Sequence, residues 1–123
     1  MAKILVVEDD QFTQGFIREV LEEDGNKMVV VPDGEEALSQ LKKNADTQLV
    51  LLDIMLPGRS GWDIFMELHR NHPKLKVVFV SAIEVSDERR LSLINKEGLA
   101  DYIVKPFTQE RLREVVEKIF GKK

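Results

Sequence analysis

Residues 3–10 read KILVVEDD, an apolar run that ends in three consecutive acids. The same form recurs in LVLLD at residues 49–53, whereas YIVKP at residues 102–106 reaches a lysine instead. In an open parallel sheet flanked by helices, functional side chains collect where the strands end. We therefore expect carboxylates from two strand ends and an ammonium group from a third to meet in one small pocket.

Five short apolar runs alternate with five longer amphipathic segments along the chain. Several of the runs are continuous Val, Ile and Leu, which is typical of strands covered by helices on both faces. Strands are predicted at Lys3–Val7, Met28–Val31, Leu49–Asp53, Lys76–Ser81 and Asp101–Val104, and helices at Gln11–Asp24, Gly34–Asn44, Gly61–Asn71, Asp87–Glu97 and Gln109–Phe120. The alternation predicts a single α/β domain with a parallel sheet and right-handed crossovers.

Composition excludes several classes of protein. The chain has 123 residues, of which 43% are hydrophobic, so it can bury the core of one ordinary domain without disulfides. It has no cysteine, which rules out disulfide frameworks, thiolate metal sites and cysteine nucleophiles. The net charge is −4 and no basic stripe stands out, which argues against direct binding of nucleic acid. No apolar run approaches the roughly 20 residues of a membrane span, and no signal peptide opens the chain, so we expect a cytoplasmic protein without membrane contact.

Single polar residues precede three of the predicted helices and fit N-caps. Asp10 precedes the first helix, Asp33 the second and Thr108 the fifth. Each side chain can accept a hydrogen bond from a free backbone N–H of the first turn. The fourth helix opens with the fully charged run at residues 87–90 and has little apolar surface, so we expect it to be loosely anchored and able to move.

Glu8, Asp9 and Asp53 are the carboxylates expected to converge. One carboxylate at a strand end is usually a cap or a solvated turn, but three together repel one another unless a cation compensates them. Mg²⁺ prefers oxygen ligands and is held by one or two carboxylates together with water and phosphate. The three acids would balance Mg²⁺ plus Lys105, which favours a magnesium site, and we expect Mn²⁺ to substitute for Mg²⁺.

The motifs around this pocket resemble those of the receiver domain of two-component response regulators, over essentially the whole chain. They are the acid pair Glu8-Asp9, the stretch DIMLPGRSG at residues 53–61, Ser81 at the end of the fourth strand, and the pair Lys105-Pro106. The resemblance is to receivers of the chemotaxis-regulator type. It implies a flavodoxin-like (βα)5 fold with strand order 2-1-3-4-5 and helices on both faces.

The resemblance also implies a role for each acid. Asp53 would be the phosphoacceptor, Asp9 would bind Mg²⁺ directly, and Glu8 would bind it through water. The main-chain carbonyl of Met55 would be a further ligand, exposed by a turn at residues 57–58. The expected metal set is therefore Asp9, Asp53, Met55 and Glu8.

Three further residues receive roles from the resemblance. Ser81 would grip a phosphoryl oxygen with its hydroxyl group. Lys105 would pair with Asp53 before phosphorylation and with a phosphoryl oxygen afterwards, and its bond to Pro106 is expected to be cis. Tyr102 would act as a switch that turns inward when the Ser81 hydroxyl moves toward the phosphoryl group.

In this family the phosphoryl group comes from a sensor histidine kinase or a phosphotransfer protein, so we expect such a partner. Phosphorylation would reshape the surface of the fourth helix, fifth strand and fifth helix, to control an output partner that the sequence does not name. The face of the fourth helix would serve dimerisation on phosphorylation, or else its charged stretch at residues 87–90 would serve partner docking. The sequence ends directly after the last predicted helix, so no output domain is expected.

The lifetime of the phosphorylated state depends on two apolar positions. In receivers, polar side chains two residues after the phosphoacceptor and two after the hydroxyl residue help to hydrolyse the acyl phosphate. Here these positions are Met55 and Ile83, which cannot orient water. We predict a long-lived phosphorylated state, in which the chain catalyses only its own phosphotransfer and slow autodephosphorylation.

Two other functions can be considered. A Mg²⁺-dependent phosphatase of the haloacid dehalogenase type needs a second aspartate two residues after its nucleophile, and Met55 stands at that place. A flavin or nucleotide module needs a Gly-, Ser- or Thr-rich loop after the first strand, whereas residues 8–11 are acidic and would repel phosphate. We therefore expect no turnover of small substrates and no flavin cofactor.

Overall fold

Strands and helices alternate along the chain in the computed structural model, which describes residues 2–56 and 58–121. The strands are β1 Lys3–Val7, β2 Lys27–Val31, β3 Leu49–Asp53, β4 Lys76–Ser81 and β5 Asp101–Val104. The helices are α1 Gln11–Glu23, α2 Gly34–Lys43, α3 Gly61–Asn71, α4 Asp87–Glu97 and α5 Gln109–Phe120. All the predicted elements are present. β2 begins one residue earlier than predicted, and α1 and α2 end one residue earlier because Asp24 and Asn44 are their C-caps.

The strands form one parallel sheet in the order β2-β1-β3-β4-β5, which confirms the predicted flavodoxin-like topology. Every residue of the central strand β3 is buried, which explains its uninterrupted apolar run. Val7 of β1 is the register partner of Leu52 of β3. The residues that follow this pair, Glu8 and Asp53, are therefore brought side by side at the carboxyl edge of the sheet.

Alternate residues of the strands face two separate apolar layers. One layer, which includes Val7 and Tyr102, packs against α2, α3 and α4. The other, which includes Val6 and Ile103, packs against α1 and α5. Helices thus cover both faces of the sheet, as predicted. The strands whose ends carry the site are packed into these two apolar layers.

The predicted N-caps are confirmed. Asp10, Asp33 and Thr108 each accept a hydrogen bond from the backbone N–H three residues later, at 2.9, 2.9 and 3.0 Å. Within α4, all of which is described, Leu93 is the one buried side chain, so the small apolar face expected of this helix is present. Movement of α4 stays a prediction. Within the described residues, no helix is both long enough and apolar enough to cross a membrane.

Candidate functional site

The predicted acids converge at the carboxyl edge of the sheet. Glu8 follows β1, Asp53 ends β3, and each offers a carboxylate oxygen within 4.8 Å of the other and of Asp9. Glu8 and Asp53 are only 2% and 5% exposed, whereas Asp9 is exposed to solvent. Two buried carboxylates and a third at the rim therefore share one small pocket.

Lys105 enters the same pocket from the end of β5. Its Nζ lies 2.7 Å from Oε1 of Glu8 and 3.1 Å from Oδ2 of Asp53. Its backbone N–H donates to the carbonyl oxygen of Ser81 at 2.7 Å, which fixes the chain beside the end of β4. The Lys105–Pro106 peptide bond is cis, as expected from the family resemblance.

The pKa values of Glu8 and of the partly buried Lys105 show how their charges act on one another. Burial raises the pKa of Glu8, and the hydrogen bond from Lys105 opposes that rise without cancelling it. Burial also works against the charged form of Lys105, but its hydrogen bonds to Glu8 and Asp53 raise the pKa above its usual value. Lys105 is therefore held as a cation, and its one positive charge leaves the three-acid cluster with an excess of negative charge.

The donor set fits a hard divalent cation. All three grouped side chains offer carboxylate oxygens, which Mg²⁺ prefers, and one ammonium group does not neutralise three carboxylates. Asp53 is oriented by two contacts, since Oδ1 accepts a hydrogen bond from the Met55 N–H at 2.9 Å and Oδ2 accepts one from Lys105. Gly58 has φ of 84°, which fits the turn expected at residues 57–58, while Pro57 itself lies outside the described residues.

Ser81 and Tyr102 lie beside the pocket and are linked through Ile83. Ser81 is fully buried at the end of β4, and its Oγ accepts a hydrogen bond from the Ile83 N–H at 3.1 Å. The Tyr102 hydroxyl donates to the Ile83 carbonyl oxygen at 2.7 Å, and the ring meets Phe79 edge-on at 6.2 Å between centroids. Tyr102 is only 2% exposed, so the ring already points inward. Whether it moves on phosphorylation stays a prediction.

Sequence reasoning assigned no role to Asp101, the first residue of β5. Its side chain is buried, Oδ1 lies 3.1 Å from Nε of Arg90 and 3.7 Å from Nη2 of Arg111, and Oδ2 has no hydrogen-bond partner among the described residues. The acid thus joins α4 and α5 to the sheet. A charged residue at the start of an apolar strand was the available signal, since such a residue is rarely buried unless it is paired.

The fold and the pocket together define a class of protein. A parallel sheet in the order β2-β1-β3-β4-β5 carries a buried aspartate, two further acids and a lysine at its carboxyl edge. Residues 4–117 match the profile of the response regulator receiver domain. The chain therefore belongs to the response regulator receiver family of two-component systems, a family of signalling switches.

Individual relatives agree with this assignment. The transcriptional regulatory protein CpxR of Klebsiella pneumoniae is 37% identical over 119 residues, which is 97% of this chain but 48% of CpxR. Protein CcdB of Bacillus subtilis is 33% identical, over 98% of this chain and 99% of its own length. The receiver domain of Francisella response regulator 1452 superposes with a TM-score of 0.83 at 30% identity, over 100% of both chains. The chain thus spans about half the length of some curated relatives and nearly all of another.

Proposed function

We propose that Asp53 accepts a phosphoryl group from a histidine of a sensor kinase or phosphotransfer protein in the cytoplasm, in a Mg²⁺-dependent reaction. The observation that carries the proposal is the ammonium group of Lys105, 3.1 Å from the Asp53 carboxylate inside a three-acid cluster. If the lysine were present only to neutralise the acids, the cluster would be expected to carry no net negative charge. Here the excess remains, and it suits a divalent cation bound together with a phosphoryl group.

The transfer forms one bond and breaks one. An oxygen of the Asp53 carboxylate attacks phosphorus in line with the phosphorus–nitrogen bond of the phosphohistidine, and the bonding electron pair returns to the imidazole nitrogen. Lys105 pairs with the carboxylate beforehand and with a phosphoryl oxygen afterwards. Positioning and charge stabilisation supply most of the catalysis in such reactions, so a few fixed groups are sufficient.

The metal would be held by the residues that converge on the pocket. Asp9 and Asp53 would bind Mg²⁺ directly, Glu8 would bind it through water, and the Met55 carbonyl would be a further ligand. Mn²⁺ would substitute in the same oxygen set. When bound, the ion supplies positive charge to the phosphoryl oxygens.

Phosphorylation would then shift a conformational equilibrium. The acyl phosphate replaces one negative charge by roughly two at neutral pH. The Ser81 hydroxyl donates to a phosphoryl oxygen, and its contact with the Ile83 N–H changes, which affects the loop that Tyr102 also holds. Because α4 buries only Leu93, its surface with β5 and α5 is the part most easily reshaped for an output partner or for a second copy of the chain.

The test is phosphorylation of the chain by a small phosphodonor with Mg²⁺, beside Asp53→Asn, followed by intact mass. We expect one added phosphoryl group in the wild type, none without Mg²⁺ and none in the variant. If Mg²⁺ binds but no adduct forms, the chain is a pseudo-receiver that works by docking alone. An adduct that persists in Asp53→Asn would place the phosphoacceptor elsewhere.

A further inference from the structure

The loop between β3 and α3, residues 54–60, contains a single charged residue, Arg59. Its guanidinium reaches two helices at once. Nη2 lies 2.8 Å from Oε1 of Glu67 on α3, and Nη1 lies 3.4 Å from Oε1 of Glu35 in the first turn of α2. Arg59 therefore ties the loop that leaves the phosphoacceptor strand to both helices that flank it.

The two ends of this loop are fixed by the backbone and by burial. The Gly61 N–H donates to the Ile54 carbonyl oxygen at 3.0 Å, and a Cβ on Gly61 would collide with the backbone of Ile54. Leu56 is 8% exposed and packs into the core. These contacts close the loop through its backbone and through the core, and Arg59 adds a polar contact to them.

The two helices that Arg59 contacts are closely packed against each other. Gly34, the first residue of α2, lies so close to α3 that an added Cβ would stand 2.5 Å from Cδ1 of Ile64. The two helices are therefore in close contact beside Glu35 and Glu67. A side chain that bridges both acids therefore connects the loop to this closely packed pair of helices.

We infer that Arg59 is a positioning residue for the metal pocket: its bridge to Glu67 and Glu35 fixes the loop that presents the Met55 carbonyl. The inference rests on the proposed function, since it takes Met55 as a metal ligand. Glu67 is the stronger partner, because its contact is shorter and its side chain is 29% exposed, against 70% for Glu35.

Partly exposed ion pairs add little to global stability. The bridge should therefore act on the local order of the loop and hardly on unfolding. This separates positioning from a general structural role: the affinity for Mg²⁺ should change while the midpoint of thermal unfolding hardly moves.

A purely electrostatic effect of these charges on Mg²⁺ binding can be distinguished from positioning, because the two predict opposite changes in affinity when Arg59 is neutralised. Removing the positive charge of Arg59 would strengthen Mg²⁺ binding if only the electric field mattered, and removing the negative charge of Glu67 would weaken it. Loss of positioning weakens binding in both cases, because either change breaks the same bridge.

The experiment is calorimetric titration of the full chain with Mg²⁺, for the wild type, Arg59→Gln, Glu67→Gln and the double variant. We expect each single variant to bind Mg²⁺ about threefold more weakly, with the double variant no weaker than the singles. Glu35→Gln should have a smaller effect. Arg59→Lys should be intermediate, because lysine keeps the charge but lacks the planar fork that spans two carboxylates.

Arg18→Gln is the matched control. It breaks a surface pair of similar geometry, Arg18 to Glu22 at 2.9 Å on α1, and should leave the affinity for Mg²⁺ unchanged. Tighter binding by Arg59→Gln, or equal binding by Arg59→Gln and the wild type, would overturn the inference. A wild type that binds Mg²⁺ but is not phosphorylated contradicts the proposed function alone, whereas a wild type that does not bind Mg²⁺ contradicts both.

Discussion

Two clusters in this molecule bury a carboxylate beside basic side chains, and their charge balance differs. In the pocket at the carboxyl edge of the sheet, the acids Glu8, Asp9 and Asp53 share Lys105, the single cation beside them within residues 2–56 and 58–121. At the start of β5, the buried acid Asp101 faces two arginines, Arg90 and Arg111, and Arg111 also pairs with the exposed Glu114. The first cluster has an excess of acid, whereas the charges of the second are balanced.

The difference separates a binding site from a structural tie. An excess of buried acid is unfavourable until a further cation arrives, so the pocket is arranged for a ligand. The charge of Asp101 is already compensated by arginines of the chain itself, Arg90 on α4 and Arg111 on α5. We expect that cluster to hold helices in place, and the pocket to carry chemistry.

Asp101→Asn should give the largest change in stability, because it leaves two partly buried arginines beside a neutral amide. Breaking a buried ion pair by removing one partner costs about 3 kcal/mol, so we expect a loss of that order in the free energy of unfolding. Chemical denaturation measures it. The affinity for Mg²⁺ should not change, because Asp101 lies outside the acid cluster.

Glu114→Gln is the control for Asp101→Asn. Glu114 pairs with Arg111 at 2.8 Å, but its side chain is 68% exposed, so its removal should cost well under about 1 kcal/mol. Equal losses in the two variants would show that burial does not distinguish these pairs. A change in Mg²⁺ affinity in Asp101→Asn would show that the two clusters are coupled.

Lys105→Met tests the other cluster. Its ammonium group is the one cation beside Glu8 and Asp53 among the described residues, so its loss should slow phosphorylation of Asp53 about a hundredfold, as for loss of one stabilising donor. Mg²⁺ should bind at least as tightly, because a competing cation has been removed. Initial rates by intact mass and a Mg²⁺ titration measure the two effects.

Lys118→Met is the control for Lys105→Met. Lys118 lies on the exposed face of α5, so this change should leave the rate of phosphorylation and the affinity for Mg²⁺ unchanged. If Lys105→Met were phosphorylated at the wild-type rate, Lys105 would be a structural counter-ion only. If it also lost Mg²⁺ binding, the excess of acid would not be what attracts the metal.

The strand ends could be predicted from sequence because each is marked by a chemical change at a single position. An apolar run that stops at Asp53 or reaches Lys105 predicts where the strand ends. It also places the polar residue at the carboxyl edge of the sheet. The convergence of these residues followed from the topology of a parallel sheet, without any knowledge of distances.

The partners of Asp101 and Arg59 could not be predicted in the same way. Arg90 and Arg111 lie 11 and 10 positions from Asp101 on two different helices, and contact depends on how each helix is rotated about its axis. Arg59 meets Glu35, which is 24 residues away, only because α2 and α3 pack closely. Neither rotation nor packing distance is encoded in a local motif.

Two exposed apolar side chains determine the predicted lifetime of the phosphorylated state. Met55 and Ile83 are 61% and 47% exposed, and neither can orient water. Met55→Asn combined with Ile83→Gln should shorten the half-life of the acyl phosphate about tenfold. This is less than the usual rate enhancement by a positioned general acid or base, because an amide only orients the water. Decay followed by intact mass measures it.

Met66→Gln is the matched control, since Met66 is also exposed, at 42%, but lies on α3 outside the β3–α3 loop. It should leave the decay unchanged. A wild-type half-life in the range of seconds would contradict the prediction, because the apolar positions would then not protect the acyl phosphate.

The smallest effect is expected at Tyr102, the single tyrosine of the chain. Burial raises the pKa of its hydroxyl above the usual value of 10.0, and the nearby Ser81 hydroxyl opposes that rise only in part. The folded state therefore favours the neutral phenol. Its contribution to stability is complete below pH 10.0 and is lost as the pH rises through the higher pKa of the folded state.

Ultraviolet absorbance of the phenolate follows this ionisation without interference from another tyrosine. We expect the folded chain to titrate above the unfolded chain, and Tyr102→Phe to show no phenolate signal. The variant should also lose about 1 kcal/mol, because it removes the hydrogen bond to the Ile83 carbonyl oxygen. A tyrosine that titrated as in the unfolded chain would have its hydroxyl in water, and the inward position would not persist in solution. The loop at Ile83 would then be held from one side only, by Ser81, and coupling between the phosphoryl group and α4 would have to pass through that hydroxyl alone.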